Sequence, residues 1–191
     1  MPSLYLPQQA AFIRWHTLGT SGPVVVWLPG IGFPALGNFL TTITDPALPA
    51  TRSLLIDPLG AGDSDPVAEL SITDHADTVA DILDHLALGP CCVVGYSMGG
   101  AIAAELTLRR PDLVARLILA EGNLMAGGGP GTRLMAAVPF SEFVDQRLPD
   151  RLADLESGAM KGDPVDDFIL TSWRRTDPAA LYGMARALVA L

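Results

Sequence analysis

Up to residue 120, the apolar residues of this chain fall into short continuous runs that are separated by amphipathic segments. The clearest runs are residues 24–28 and 91–94, and glycine or proline bounds both, which predicts buried strands. Continuous apolar runs are typical of parallel strands that are covered on both faces. Further strands are predicted at residues 3–6, 11–17, 53–56 and 115–120.

Residues 71–88 form the clearest predicted helix. Its apolar residues recur at helical spacing, its aspartates lie on the opposite face, and Ser71 with Asp74 fits a capping box. Gly89 and Pro90 end this helix. Other helices are predicted at residues 37–44, 101–110, 141–155, 164–174 and 178–189.

The composition of the chain changes after residue 126. A glycine-rich stretch, residues 127–131, forms a hinge-like break, and only helices are predicted from Thr132 onward. We therefore divide the chain into a core of strands and helices, residues 1–126, and a helical segment, residues 127–191. The alternation of strands and helices in the core predicts an α/β fold with a mostly parallel sheet.

The turn between the strand at 91–94 and the helix at 101–110 has the sequence Gly95-Tyr96-Ser97-Met98-Gly99, a G-x-S-x-G pattern. The pattern alone is weak, but a strand before it and a helix after it are the context of a nucleophile elbow. Small flanking residues permit the tight turn and place the serine hydroxyl at a helix N-terminus. The Met98 amide then points to where an oxyanion can form. The alternative is a tight turn in which Ser97 has no chemical role.

Two further loops contain candidate binding residues. Residues 29–34, Pro-Gly-Ile-Gly-Phe-Pro, allow backbone amides to approach a bound group closely, although a plain turn explains them equally well. Residues 57–65 are rich in turn formers and have no Lys or Arg, which favours a structural role over metal or phosphate binding. Asp77, Asp81 and His85 are spaced for chelation on one helix face, but a solvated face is the favoured interpretation.

The composition narrows the class of protein. The chain has 191 residues, of which 49% are hydrophobic, enough for one globular domain with a core. A net charge of −9 with only 12 Lys and Arg argues against nucleic acid and anionic membranes as partners. Cys91 and Cys92 are expected to be small core residues. Neither a secretory signal nor an apolar run long enough to cross a membrane is visible, so a cytoplasmic location is expected.

The order of these elements and loops resembles the α/β-hydrolase fold family over residues 5–191. The resemblance implies that Ser97 is the nucleophile and that the amides of Met98 and Ile31 hold the oxyanion. It implies a helical lid at residues 127–191 and a small-molecule substrate. The family usually has His-Gly where this chain has Pro29-Gly30. The residues expected to line the substrate pocket are Gly30, Gly32, Phe33 and Tyr96.

The family carries its catalytic histidine, and usually its triad aspartate, on two strands after the lid. The three histidines of this chain, His16, His75 and His85, all precede Ser97. We therefore expect the chain to be truncated after the lid and to lack its general base. Some members take the acid from the end of the strand after the elbow helix, where this chain has Glu121. Glu121 is thus the candidate acid, and a role in capping the lid hinge is the alternative.

Two functions are compatible with the sequence. The first is a serine esterase for a small acyl substrate, without cofactor or metal, that is incomplete as a catalyst in this chain. Perhydrolysis and carbon–carbon bond hydrolysis use the same nucleophile. The second is a non-catalytic hydrolase-like protein that binds a ligand or a partner. Because the strand at 115–120 loses the neighbour that the family provides, self-association through an exposed sheet edge is also expected.

Overall fold

A computed structural model describes residues 1–191 and contains one six-stranded sheet in the order β1-β2-β4-β3-β5-β6. All six predicted strands are present, and their bounds differ by at most two residues from those expected. The strands are β1 Ser3–Leu6, β2 Ala11–Leu18, β3 Val24–Leu28, β4 Arg52–Asp57, β5 Cys91–Tyr96 and β6 Val114–Ala120.

The sheet is mostly parallel, as the sequence predicts. β4, β3, β5 and β6 run parallel to one another, whereas β1 and β2 are antiparallel. A chain that passes from one parallel strand to the next needs a crossover, and a helix supplies it here. Because β5 ends at Tyr96, Ser97 lies at the carboxyl edge of the parallel strands. The crossover helices are α1 Ala35–Ile43, α2 Ile72–His85 and α3 Met98–Arg109.

Different helices cover the two faces of the sheet. α2 and α3 pack against each other on one face, within a core of 37 buried residues that includes Val26 and Val93. Successive side chains of a strand point to opposite faces, so Val25, next to Val26, belongs to the other core. That smaller core lies under α1 and consists of Val25, Trp27, Ala35, Phe39, Leu55 and Val94.

The polar surface of α2 matches the solvated face that its periodicity predicts. The expected capping box is present at its first turn. On its exposed side, Asp77 pairs with Arg109 at the end of α3, and Asp84 pairs with Arg110. The aspartates of this helix are therefore solvated or paired with arginine.

Helices are the only regular elements after β6. α6 packs against α7, and α4 packs against α8. None of the helices in the structure combines the length and the apolar character that crossing a bilayer requires. The elements are α4 Pro130–Ala136, α5 Phe140–Glu142, a π-helical turn Phe143–Arg147, α6 Leu148–Met160, α7 Pro164–Trp173 and α8 Pro178–Val189.

The prediction of one regular helix at residues 141–155 is wrong. The segment consists of α5, the π-helical turn and α6, which continues to Met160. Pro149 is the second residue of α6 and has no amide to donate to the carbonyl of Asp145. The widened turn that precedes it accommodates this missing hydrogen bond, since π-helical turns occur inside helices where the regular pattern is interrupted.

β6 forms one edge of the sheet and pairs only with β5. Its apolar side chains are open to solvent, with Ile118 exposed by 45% and Leu119 by 38%. A groove of about 950 Å³ lies on the α1 side of the sheet next to this edge. The expected apolar edge is therefore present. The groove is lined by Val25, Trp27, Cys92, Val94 and Ile118, among others.

His75 in α2 is a buried polar residue of the main core. It is 1% exposed, and its Nδ1 atom has no hydrogen-bond partner. Burial lowers the pKa of the imidazole from 6.5 to about 4, although the neighbouring Asp74 carboxylate acts in the opposite direction. The ring is therefore neutral in the folded protein at neutral pH.

We expect acid to destabilise the fold through His75. In the unfolded chain the pKa returns to about 6.5, so below this pH the unfolded state binds a proton that the folded state rejects. The free energy of unfolding then falls by about 2 kcal/mol between roughly pH 7.5 and pH 5. Urea denaturation at the two pH values measures this loss of stability. His75→Leu should remove the part of the loss that His75 causes, whereas His85→Leu, at the exposed end of α2, should retain it. The same pH dependence in His75→Leu and the native chain would contradict the assignment.

Candidate active site

Ser97 is the single residue between the end of β5 and the start of α3. Its φ of 51° and ψ of −114° lie outside the regions that L-residues commonly adopt. Backbone strain of this kind costs on the order of 1–3 kcal/mol, and it persists at functional sites where the surrounding contacts fix the chain. The turn thus has the sharp strand-to-helix geometry that the G-x-S-x-G pattern predicts.

Glycine is required around Ser97 because neighbouring backbones are in contact there. A Cβ atom at Gly99 would collide with the carbonyl group of Leu28, and one at Gly95 would collide with the backbone of Gly99. A Cβ atom at Gly100 would lie 2.6 Å from the Cα atom of Gly122. These obstacles are backbone atoms, which cannot rotate away as a side chain can. α3 therefore packs closely against the chain that follows β3 and β6.

The backbone of Ser97 is also bonded to the end of β6. Its amide donates to the carbonyl of Ala120 at 3.0 Å, and its carbonyl accepts from the amide of Asn123 at 3.1 Å. Glu121 lies between these two partners and has a φ of 50°. Burial, and then the nearby Glu121 carboxylate, raise the pKa of the Tyr96 hydroxyl. The candidate acid is therefore held next to the serine turn through backbone hydrogen bonds.

The two amides expected to hold an oxyanion belong to Met98 and Ile31. Met98 is the first residue of α3, where an amide has no acceptor within the helix. Ile31 lies in the loop after β3, and its amide donates no hydrogen bond in the structure. The amide of Gly99 donates to the carbonyl of Pro29 at 2.9 Å, which joins the start of α3 to this loop. Two unused amide donors thus occur in the two segments that this bond connects.

The loop after β3 contains a tight turn from Gly30 to Phe33. The amide of Phe33 donates to the carbonyl of Gly30 at 3.1 Å, and Gly32 has the positive φ, 69°, that a type II turn requires at its third position. The amide of Gly30 donates to Oδ1 of Asn38 in α1 at 3.1 Å. The core of the protein therefore holds the first part of the loop.

The helical segment holds the second part of the loop. The indole Nε1 of Trp173 donates to the carbonyl of Ile31 at 3.0 Å, and the hydroxyl of Thr176 lies 3.1 Å from the carbonyl of Gly32. Sequence analysis missed both residues, because 142 and 144 positions separate them from their partners and no local pattern marks them.

Aromatic side chains form the surroundings of this loop. A Cβ atom at Gly30 would lie 2.9 Å from the ring of Phe33 and 3.2 Å from that of Tyr96. The ring of Phe168 in α7 packs against Phe33, with 4.9 Å between their centroids. The structure thus brings Phe33 and Tyr96 together around Gly30, and the helical segment contacts the same place.

None of the three histidines forms a hydrogen bond with Ser97 in the structure. His16 lies on β2, three strand spacings from β5, or about 14 Å across the sheet. Its Nε2 atom is 3.6 Å from the carboxylate of Asp63. His85 is the last residue of α2 and packs edge-on against an aromatic ring of β2. His75 is enclosed in the main core.

Asp57, at the end of β4, has a structural role. One carboxylate oxygen accepts from the amide of Ala35, the first residue of α1, at 2.6 Å, and the other accepts from the amide of Asp63 at 2.9 Å. Burial raises the pKa of this carboxyl, and these two hydrogen bonds act against the increase. Ligand atoms of His16, Asp57 and Asp63 lie within 4.8 Å of one another, but both Asp57 oxygens already bind backbone amides. The structural interpretation of the loop at 57–65 is therefore supported.

Comparison with known proteins gives matches over most of the chain. Residues 23–178 match a family model described as the alpha/beta hydrolase fold. The sn-1-specific diacylglycerol lipase ABHD11 of Mus musculus is 32% identical over 159 residues, which are 78% of this chain and 51% of that protein. Lipase LipV of Mycobacterium tuberculosis is 34% identical over 127 residues, 65% of this chain and 42% of that protein. The chain therefore spans about half, or less, of the length of these relatives.

Solved structures show the same fold. A hydrolase from Pseudomonas aeruginosa superimposes with a TM-score of 0.80, and the superposition covers 98% of this chain and 72% of the hydrolase chain. The identity between the two is 22%, so this likeness concerns the fold alone. The fold class expected from the order of the elements is confirmed.

The close contact at Gly99 predicts the effect of adding a single methyl group. Gly99→Ala should lower the free energy of unfolding by about 3 kcal/mol, because its Cβ atom meets the backbone of Leu28 and Pro29. Gly89→Ala is the matched control, since no atom lies within 4 Å of a Cβ there, and it should change stability by less than about 0.5 kcal/mol. Urea denaturation measures both. Equal stabilities of the two variants would show that α3 does not pack against β3 as described.

Proposed function

The chain belongs to the α/β-hydrolase fold family, and from this premise we propose that it is a serine hydrolase of the esterase type with Ser97 as its nucleophile. The observation that carries the proposal is the backbone of Ser97, held at positive φ between β5 and α3. A glycine adopts positive φ without this strain, so a turn without a chemical role would favour glycine at this position. A strained serine is instead what a nucleophile elbow requires.

In the proposed reaction, Oγ of Ser97 attacks the carbonyl carbon of a small acyl ester while a histidine base takes its proton. The amides of Met98 and Ile31 stabilise the negative charge on the carbonyl oxygen. The bond to the alcohol then breaks, and the alcohol leaves with the proton from the histidine. Water attacks the acyl-enzyme in the same way, releasing the acid and free Ser97. Glu121 is the proposed acid that orients the histidine.

The histidine in this scheme is not one of the three in residues 1–191. None follows Ser97 in the sequence, and none forms a hydrogen bond with it. We therefore propose that the base comes from outside these residues and that they turn over esters only weakly by themselves. Loss of a triad member typically leaves a rate enhancement of about 10³–10⁴ over water, from oxyanion binding and positioning alone.

The loop after β3 and the helical segment define the proposed substrate pocket. Gly30, Gly32, Phe33 and Tyr96 line it in the proposal, and residues 127–191 serve as its lid. Two of the relatives are named lipases, which favours an ester as the substrate. Perhydrolysis and carbon–carbon bond hydrolysis use the same nucleophile and are the alternative chemistries. A reaction without cofactor or metal and a cytoplasmic location stay predictions.

A second candidate function is binding without turnover. It is favoured because none of the histidines of the chain forms a hydrogen bond with Ser97. In this case the pocket under the helical segment binds a ligand, or the chain binds a partner, and Ser97 forms no acyl-enzyme.

We also propose that residues 1–191 self-associate through β6. Its outer edge has unpaired backbone groups, and apolar side chains such as Ile118 and Leu119 are exposed on both of its faces. An exposed apolar edge of this kind can pair with a strand of another chain. A second copy offers the same strand, so the two edges can join antiparallel about a two-fold axis.

Imidazole in solution tests the proposed nucleophile. We expect the native chain, Ser97→Ala and His75→Ala to hydrolyse p-nitrophenyl acetate at similarly low rates. Added imidazole supplies a free base, so it should accelerate the native chain and His75→Ala above the imidazole blank, but not Ser97→Ala. Release of p-nitrophenol, followed by absorbance, measures these rates.

Each other outcome contradicts a defined part of the proposal. Robust turnover without imidazole that both substitutions abolish would identify His75 as the base. Robust turnover lost only in Ser97→Ala would show another base within the chain. No difference between the native chain and Ser97→Ala at any imidazole concentration would contradict the nucleophile and favour the binding function.

Self-association through β6 predicts a specific effect of charge on the edge. Ile118→Lys should have a lower average particle mass in solution than the native chain, because a lysine on an edge strand opposes pairing with a second strand. Leu108→Lys is the control, since Leu108 is 80% exposed but belongs to α3 and not to the edge strand. Sedimentation velocity over a range of concentrations measures the mass. A native chain that stays monomeric at high concentration would contradict the proposal.

A further inference from the structure

We propose that Trp173 is a positioning residue for the oxyanion hole: it holds the carbonyl of Ile31, and thereby the adjacent Ile31 amide, through a hydrogen bond from the helical segment. This inference rests on the proposed function and names a role for the helical segment in it. Trp173 touches no reacting atom in this role, and it acts only through the loop after β3.

The first support is the chemistry of the contact between Trp173 and Ile31. Trp173 is 9% exposed, and its indole N–H donates to the Ile31 carbonyl at 3.0 Å. Both groups are buried, so removal of the donor leaves a buried carbonyl unpaired, an unfavourable state that movement of the loop relieves. The Ile31 amide belongs to the same peptide unit as the Gly30 carbonyl, which accepts from the Phe33 amide, and the Ile31 carbonyl belongs to the next unit. The two units share the Ile31 Cα atom, so displacement of the second unit shifts the first.

The second support is the division of the anchors between the two parts of the chain. The core holds the carbonyl of Pro29 through Gly99 and the amide of Gly30 through Asn38. No other group in the structure forms a hydrogen bond to the carbonyl of Ile31. The turn itself thus holds one side of the proposed oxyanion donor, through the Gly30 carbonyl, and the helical segment holds the other, through the Ile31 carbonyl.

The third support is the packing of the helical segment on Gly32. A Cβ atom at Gly32 would lie 3.0 Å from Trp173 and 3.0 Å from Leu181 of α8, so α7 and α8 rest directly on the loop backbone. The hydroxyl of Thr176, between these helices, lies 3.1 Å from the carbonyl of Gly32 and 3.0 Å from that of Ser172. It carries one proton and shares it between two acceptors, so Trp173 provides the better defined anchor.

It follows that the Ile31 donor is fixed in place only when the helical segment is docked. The Met98 amide belongs to the core and stays in place, whereas the Ile31 amide depends on a contact made from 142 positions further along the chain. Displacement of α7 would thus weaken the binding of a tetrahedral adduct without affecting Ser97 itself.

Formation of a boronate on Ser97 tests this role without a general base. Oγ of Ser97 donates an electron pair to the boron of butylboronic acid, a B–O bond forms, the serine proton passes to the buffer, and boron becomes tetrahedral and anionic. One boronate oxygen then occupies the oxyanion site. The dissociation constant is measured by ¹¹B NMR, which separates trigonal from tetrahedral boron. The measurement is made at a temperature well below the thermal unfolding midpoint of each variant.

Trp173→Phe keeps an aromatic ring and removes the N–H group, and we expect it to weaken the adduct at least five-fold, since one oxyanion donor accounts for about 10²–10³ in rate where it has been removed. Trp27→Phe is the matched control, because its buried Nε1 has no hydrogen-bond partner to lose. It should bind as the native chain does. A purely structural role would lower the unfolding midpoint of Trp173→Phe and leave the affinity of the folded protein unchanged.

The outcomes separate this inference from the proposed function. Equal affinities of Trp173→Phe, Trp27→Phe and the native chain, with no adduct on Ser97→Ala, would overturn the positioning role and leave Ser97 as nucleophile. An adduct that persists in Ser97→Ala, or that never forms on the native chain, would overturn the proposed function and the inference with it. If Trp173→Phe does not fold, Trp173→Met is measured instead, since it also lacks the N–H group and its flexible side chain fills the space of the indole. An unchanged affinity in that variant overturns the role.

Discussion

The hydrogen bond from the Gly99 amide to the Pro29 carbonyl connects the helix after β5 to the loop after β3, and the geometry of the candidate site depends on it. The two segments approach closely enough for this bond because β3 and β5 are neighbours in the sheet and because Gly99 has no side chain. A larger residue at Gly99 would separate them. The Ile31 amide on one side and the Met98 amide on the other are brought to one edge of the sheet by the same contact.

Ser97 stands between these two segments, and its strain is maintained by backbone bonds on either side. Its amide and carbonyl are bound by Ala120 and Asn123 from the end of β6, so the serine turn cannot relax without disrupting the sheet. Residues 1–191 thus contain the proposed nucleophile, the two amides proposed to hold the oxyanion and a nearby carboxylate. None of their histidines forms a hydrogen bond with Ser97. Because the chain spans about half, or less, of the length of its relatives, the activity of the whole protein is a proposal that combines these residues with a base from elsewhere.

The parts of the structure that local sequence determines were predictable. The apolar run of β5 followed by Gly95 and Gly99 places the turn around Ser97, and Ser71 with Asp74 identifies the start of α2. The failures concern contacts between distant residues or breaks within a helix. Asp57 caps α1 although it lies 22 positions after Ala35. The residue at the N-cap position of α1 is Pro34, whose side chain forms no capping hydrogen bond, and the local sequence does not indicate that a distant carboxylate takes this role.

Contacts with the helical segment were beyond prediction for the same reason. Trp173 occurs in a stretch whose helical periodicity is explained by packing alone, and Thr176 lies in the turn that follows. Their bonds to the loop after β3 form only when α7 and α8 dock. Pro149 lies in the middle of the helix predicted at 141–155 and indicates an interruption there, but its position does not show that the interruption takes the form of a π-helical turn before α6.

Covalent labelling by an alkyl fluorophosphonate, followed by peptide mapping in a mass spectrometer, tests whether Ser97 is the nucleophile. The reaction forms a bond between a serine oxygen and phosphorus, expels fluoride and releases the serine proton to the solvent. We expect that labelling is slow, that imidazole accelerates it, and that the phosphonyl group is found on Ser97 before any other serine. Equal labelling of several serines, or an unlabelled Ser97 in the presence of imidazole, would contradict the identification of Ser97 as a nucleophile.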